Sequence, residues 1–314
     1  MKHQIDPTVD CVFKAILGKE DNKNLLIHFL NAILRRAGTR RIVDVVIANP
    51  YNEREFVRDK LGIVDVKAVD RQGRHYQIEI QRAIHGGLAA RMVFTWSAMY
   101  HAQLNQGNHF LRLRPVIASW LLRTPMFPEV KVCHLPFGLY NPTHRLQLSD
   151  HLAIHLVQFS QWQLTKQHPD ARDRWLYFLK HGKHLDPTHP PDILQTKEMK
   201  QAMSVLAEFS EREKNYLLYE QRLEAERVEL TWRELLKQAN AALEQERREK
   251  ERERREKERL LLEKEREHQE KEREQQKREE EKRLLLEKEQ QLLQELEHLQ
   301  TLLRKSGINP AQAE

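Results

Sequence analysis

Apolar residues recur at helical spacing in two blocks near the start of the chain. Val9, Val12, Phe13, Ile16 and Leu17 predict a helix over 6–17, with Asp6 as N-cap, Pro7 in the first turn and Gly18 at the end. Leu25, Leu26, Phe29, Leu30, Ile33 and Leu34 predict a second helix over 23–36. Both stripes read as core-packing faces; Asp10 and Lys14 fall on the more polar side of the first. Residues 42–48, IVDVVIA, are β-branched and almost continuously apolar, which predicts a buried strand. The period then drops to two. Residues 62–70 and 74–82 read as strands joined by Arg71-Gln72-Gly73, a three-residue hairpin loop with Gly73 in the left-handed conformation. Residues 88–104 return to helical spacing through Leu88, Met92, Trp96, Met99 and Leu104, and 115–122, 130–135 and 152–159 predict further strands. This order predicts a mixed α/β domain over residues 1–160.

The pattern changes again beyond that point. Trp162, Trp175, Phe178 and Leu179 suggest helices packing on or near the core, so 161–235 is expected to be a helical extension. Ser210 and Glu213 have the spacing of a capping box. Between residues 244 and 283 the apolar positions are Leu260, Leu261 and Leu262 alone, and the rest is Glu, Arg, Lys and Gln. Such a stretch persists as a solvated helix through pairs of opposite charge four residues apart. Leu285, Leu292, Leu296, Leu299 and Leu303 then follow the spacing of a short coiled-coil seam. Residues 236–305 are therefore expected to form a charged single helix or coiled coil, either a solvated spacer or a dimerising arm, and 306–314 a disordered tail.

Charge sharpens this division. Residues 241–305 hold 20 Asp and Glu against 19 Lys and Arg, so the chain's excess of 53 Lys and Arg over 47 Asp and Glu lies in the globular part. That excess suits either a polyanionic partner or ordinary solubility. Arg35, Arg36, Arg40 and Arg41 flank one turn, as a solvated helix cap or as a phosphate-contacting patch. Cys11 and Cys133 are too few and too far apart for a disulfide framework. The first residues lack an apolar signal core and no run reaches the ~20 apolar residues of a membrane span, so a cytoplasmic location is expected.

The candidate chemistry sits on the hairpin. Counting back from its loop pairs Asp70 with Arg74, Lys67 with Gln77, Asp65 with Glu79 and Ile63 with Gln81. Directly opposed residues share a face with Cβ atoms about 5 Å apart, and like charges there are destabilising. A divalent cation is the natural counterion for such a carboxylate pair. Val64, Val66, Ala68, Ile78 and Ile80 take the opposite, buried face. Two acids with Gln81 beyond the second form a metal-hydrolysis arrangement, in which Gln81 can hydrogen-bond water but supplies no charge. Other constellations are poor. His151 and His155 fall around a strand, Ser149-Asp150-His151 are mere neighbours, and no glycine-rich phosphate loop is present.

Several blocks together resemble the PD-(D/E)XK nuclease family transposases, the recombination-promoting nucleases. They are Asp10-Cys-Val-Phe13-Lys14, the helix from Leu25 through Asn31, Ile63-Val-Asp65-Val-Lys67-Ala with Gly73 and Ile78-Glu79-Ile-Gln81, then Arg91, Tyr100 and Gln103, Trp175 to Leu179, and Tyr219 to Arg222. The resemblance spans about residues 5–235. It implies a restriction-endonuclease-like mixed sheet flanked by helices and Mg²⁺-dependent cleavage of DNA, with Mn²⁺ as an alternative ion. Asp65 and Glu79 would be the metal ligands, and Gln81 would stand where the superfamily usually has lysine. Val64 replaces the proline that often precedes the first acid. A further acid on an early helix has only Asp10 and Glu20 as candidates. The expected activity is a metal-dependent DNA endonuclease in transposition or recombination. The alternative is a weak or inactive nuclease-fold protein that binds DNA or directs assembly. Either would bear a coiled-coil arm suited to homodimerisation, with no membrane partner.

Overall fold

The computed structural model describes residues 2–48, 65–105, 107 and 109–305. They form two units, 1–230 and 231–314 as bounded along the chain. In the first, six strands make one mixed sheet in the order β1-β2-β3-β4-β6-β5. The strands are β1 (Val45–Ile47), β2 (Asp65–Asp70), β3 (His75–Gln81), β4 (Val116–Leu122), β5 (His134–Tyr140) and β6 (Gln147–Gln158). β2 runs antiparallel to β1 and β3, β4 lies parallel to β3 and β6, and β5 closes the far edge antiparallel to β6. The parallel β3–β4 step needs a crossover, and helix α3 (Leu88–His101) provides it.

The two faces are covered unequally. On one, α1 (Asp10–Leu17), α2 (Lys23–Ile33), α4 (Ala171–His181) and α5 (Lys197–Glu211) share the main core with Val66, Ala68, Tyr76, Ile78, Ile117, Leu121 and Val157 of the sheet. On the other, Leu88 and Met92 of α3 pack on Ala118, Trp120, Leu122, Ile154 and Leu156. β4 is buried at every residue because both of its faces are covered. The helices after residue 161 are thus part of the core of the first unit. The last helix, α6 (Glu213–Lys305), begins in that unit: Leu218 and Tyr219 join the main core and Arg222 is buried. Within the second unit, the leucines from Leu243 to Leu303 that the structure describes are exposed.

Several local expectations need correction. α1 starts at Asp10 with Val9 at the N-cap position. Asp6 instead accepts the backbone N–H and hydroxyl of Thr8 at 2.9 and 2.6 Å and pairs with Arg123 at 2.6 Å. That carboxylate is recruited by a cation 117 residues away, which no local rule anticipates. β1 is short and lies at the sheet edge, with Val46 68% exposed, so its apolar run does not mark a doubly buried strand. Residues 130–133 lie outside the strand, which occupies 134–140. Ser210 lies inside α5 with its hydroxyl unpartnered among the described residues, so the Ser210–Glu213 capping box does not form. A capping box does form at Asp170 and Asp173, ahead of α4.

Cys11 is fully buried, and burial pushes its thiol far up. Burial likewise pushes the Cys133 thiol up to about 11. His155 does more than fill a strand position: its Nδ1 lies 2.9 Å from Nε2 of His134 across β5 and β6, while His151 meets the Tyr100 hydroxyl at 2.8 Å. Among the described residues, no helix is long and apolar enough to cross a membrane.

Candidate active site

The hairpin loop is where the pattern placed it. Gly73 has φ +77°, and the Asp70 and Arg74 backbones close the turn. A side chain at 73 would be strained in that conformation and would also press on Arg114. The turn is locked by Asp70, whose side chain is 1% exposed. It accepts the backbone N–H groups of Gln72 and Arg74 at 2.9 Å, the Arg74 Nε–H at 2.6 Å and the Tyr76 hydroxyl at 2.9 Å.

This turn sets the register of everything behind it. Asp65 pairs with Glu79, Val66 with Ile78 and Lys67 with Gln77. Ile63 and Val64, the expected partner of Gln81 and a buried position, lie outside the described residues. β3 has Glu79 in register with Trp120 and Gln81 with Leu122, so this row faces α3.

Glu79 is 6% exposed. Its Oε1 accepts from Gln77 Nε2 at 2.7 Å, and its Oε2 accepts from Arg91 Nη2 at 3.1 Å. Arg91 sits one turn into α3, and its guanidinium carbon lies 5.5 Å from the centre of the Trp120 ring. Trp120 therefore flanks both members of the ion pair. A buried carboxylate needs a counterion, and here the protein itself supplies one. Arg91 is the residue whose role the sequence concealed. Resemblance singled it out, yet no spacing rule connects it to Glu79.

The donor set also suits a hard cation. The Glu79 carboxylate is directly paired in register with the Asp65 position. Beside it, Gln77 Oε1 is buried without a hydrogen-bond partner among the described residues. Flipping that amide would set two oxygens against each other 2.7 Å apart, so the unpartnered atom is the oxygen. A buried carbonyl oxygen next to a carboxylate is a natural ligand for a divalent ion. Gln81 is differently engaged. Its Nε2 donates to the Ala83 carbonyl at 3.0 Å and carries no charge.

Asp10 faces Arg222 at 3.7 Å, with burial raising its carboxyl above the usual range against the pull of that arginine. Glu20 is exposed on a short 3₁₀ turn. Among the described residues, no group of three His, Cys, Asp or Glu side chains is gathered as a metal site.

A family model, PD-(D/E)XK nuclease family transposase, matches residues 7–231. The chain belongs to this family. The match covers the whole six-stranded sheet and the helices that enclose it, and it stops where the first unit ends. A restriction-endonuclease-like core is consistent with membership. No curated protein and no solved structure matches the chain.

Proposed function

We propose that this protein is a metal-dependent DNA endonuclease acting in transposition or recombination, in a bacterial cytoplasm. The observation that carries the reading is the direct pairing of Asp65 with Glu79 on neighbouring strands, inside the family-matched region. Asp65 and Glu79 would hold the ion, Mg²⁺ or Mn²⁺, with the Gln77 carbonyl oxygen as an additional donor. When bound, such an ion lowers the pKa of a coordinated water and neutralises charge building on a phosphoryl group. Gln77 and Arg91 hold the Glu79 carboxylate through one oxygen each in the ligand-free protein. Gln81, two residues further along the same strand, would hydrogen-bond the attacking water. The basic excess of the globular part would hold the DNA backbone with little regard to sequence.

The second unit supports a proposal of its own. Leu285, Leu292, Leu296, Leu299 and Leu303 are between 39 and 62% exposed and keep a coiled-coil spacing. We read them as the seam through which two copies pair, bringing two nuclease domains to one DNA.

A supercoiled-plasmid nicking assay in Mg²⁺ and in Mn²⁺ tests the activity. Asp65→Ala is expected to abolish nicking while leaving the thermal melt near that of the wild type. Full activity in that variant would sink the assignment. The charge missing at Gln81 favours a second reading, a nuclease fold that binds DNA without cutting it. That protein would bind DNA with steep salt dependence and cleave in no divalent metal.

A further inference from the structure

Position 81 carries an amide, yet the site holds a cation close by. Arg91 Nη2 is 3.1 Å from Glu79 Oε2, and its guanidinium lies beside the ring of Trp120, the register partner of Glu79 on β4. Its side chain is 32% exposed, against 8% for that of Glu79, so it is accessible to a ligand that arrives on this face. A guanidinium and a divalent ion cannot both sit on one carboxylate oxygen without strong mutual repulsion. The planar fork of arginine also matches the oxygens of a phosphate better than any other side chain.

We propose that Arg91 is the cation of this active site and that it has two partners. In the unloaded protein it neutralises Glu79. With a metal ion on Glu79, the guanidinium would donate to a non-bridging oxygen of the scissile phosphate and stabilise the charge that builds there. Arg91 thereby does the work that a lysine at position 81 would do, from a helix instead of the strand. It also competes with the metal for Glu79, which sets how readily the site loads. The inference rests on the endonuclease reading above and adds a residue and a competition to it.

The two roles predict effects of opposite sign. The variants are R91A and R91Q, the latter keeping a hydrogen-bond donor toward Glu79 in case the truncated side chain unfolds the protein. Mn²⁺ affinity is measured on the full chain without DNA, and cleavage is measured under single turnover at saturating Mn²⁺. Both variants should bind Mn²⁺ more tightly, about fivefold or more, which corresponds to about 1 kcal/mol. Both should cleave roughly 100-fold more slowly, the usual loss when one positioned donor to a developing anion is removed. Adding Gln81→Lys to R91Q should recover a large part of the rate. A residue that merely braced the fold would weaken metal binding and cleavage together. Unchanged or weaker Mn²⁺ binding in a folded R91Q, or cleavage at the wild-type rate, overturns the proposal and leaves the endonuclease reading in place. A wild type that neither binds Mn²⁺ nor cuts DNA overturns both.

Discussion

Asp70 is the residue on which the hairpin turns, and removing it should cost the first unit about 3–4 kcal/mol. The estimate is built from its partners. The hydrogen bonds from Arg74 Nε at 2.6 Å and from the Tyr76 hydroxyl at 2.9 Å go to a side chain that is 1% exposed. A hydrogen bond to a charged group contributes about 1.5–3 kcal/mol, and a buried donor left unsatisfied costs about 1–3 kcal/mol. Tyr76 is fully buried and could find no substitute partner, whereas water can reach the turn's backbone N–H groups. The contributions overlap, so their sum is taken at its lower end. Urea denaturation followed by tryptophan fluorescence is a suitable assay, because Trp120, Trp162 and Trp175 are all buried in the first unit. Asp70→Ala should lower the midpoint by about 1 M or more, given an m-value near the top of the usual 1–3 kcal/mol/M range. The double variant Asp70→Ala with Tyr76→Phe should be less destabilised than the sum of the singles, by about 1 kcal/mol, because it no longer buries an orphan hydroxyl. A loss under about 1 kcal/mol in Asp70→Ala, or strict additivity in the cycle, would refute this account of the turn. Cleavage should fall as well, since the same turn decides which residue faces Glu79.

Two further outcomes are expected. His134 and His155 are each held down at about 4, first by burial and then by neighbouring positive groups, Arg172 and Arg35 for His134 and His134 and Arg36 for His155. An unfolded histidine titrates near 6.5, so between about 6.5 and 4 the unfolded chain binds more protons than the native one and stability falls as pH is lowered. Melting temperature against pH should show this fall, and His155→Gln should flatten it; an unchanged profile in that variant would count against the burial argument. A chain ending at Leu230 should keep DNA cleavage and lose self-association in sedimentation, because the exposed leucine seam lies wholly beyond that point. Retention of the dimer in the shortened chain would place the interface elsewhere.

What could be read from the residues in order was whatever depends on near neighbours. Gly73 between two alternating runs determines a three-residue turn, because only a left-handed residue closes it. The turn in turn determines the pairing of Asp65 with Glu79 and of Lys67 with Gln77, since the loop length sets the register and a slip of one residue would turn Val66, Ala68 and Ile78 away from the core. The helical stripes of α1 and α2 were legible for the same reason: a period of 3.6 is a local property. Gln77 could have been added to the site, as it shares a face with Glu79 by simple alternation.

Only the tertiary structure decided which partners those residues meet. Arg91 reaches Glu79 because α3 crosses back over the sheet to link parallel strands, and the pattern predicts such a helix without its rotation about its own axis. Asp6 pairs with Arg123 in place of capping α1, because a contact far along the chain outweighs local preference, and Ser210 is enclosed in α5 and caps nothing. The extent of β5 and the edge position of β1 follow from sheet order, which their own residues do not encode. The sequence by itself thus determined the turn, the register and the two opposed acids. The counterion that neutralises Glu79, and the aromatic ring beside that counterion, came from the packing of a helix against a strand that the hairpin does not contain.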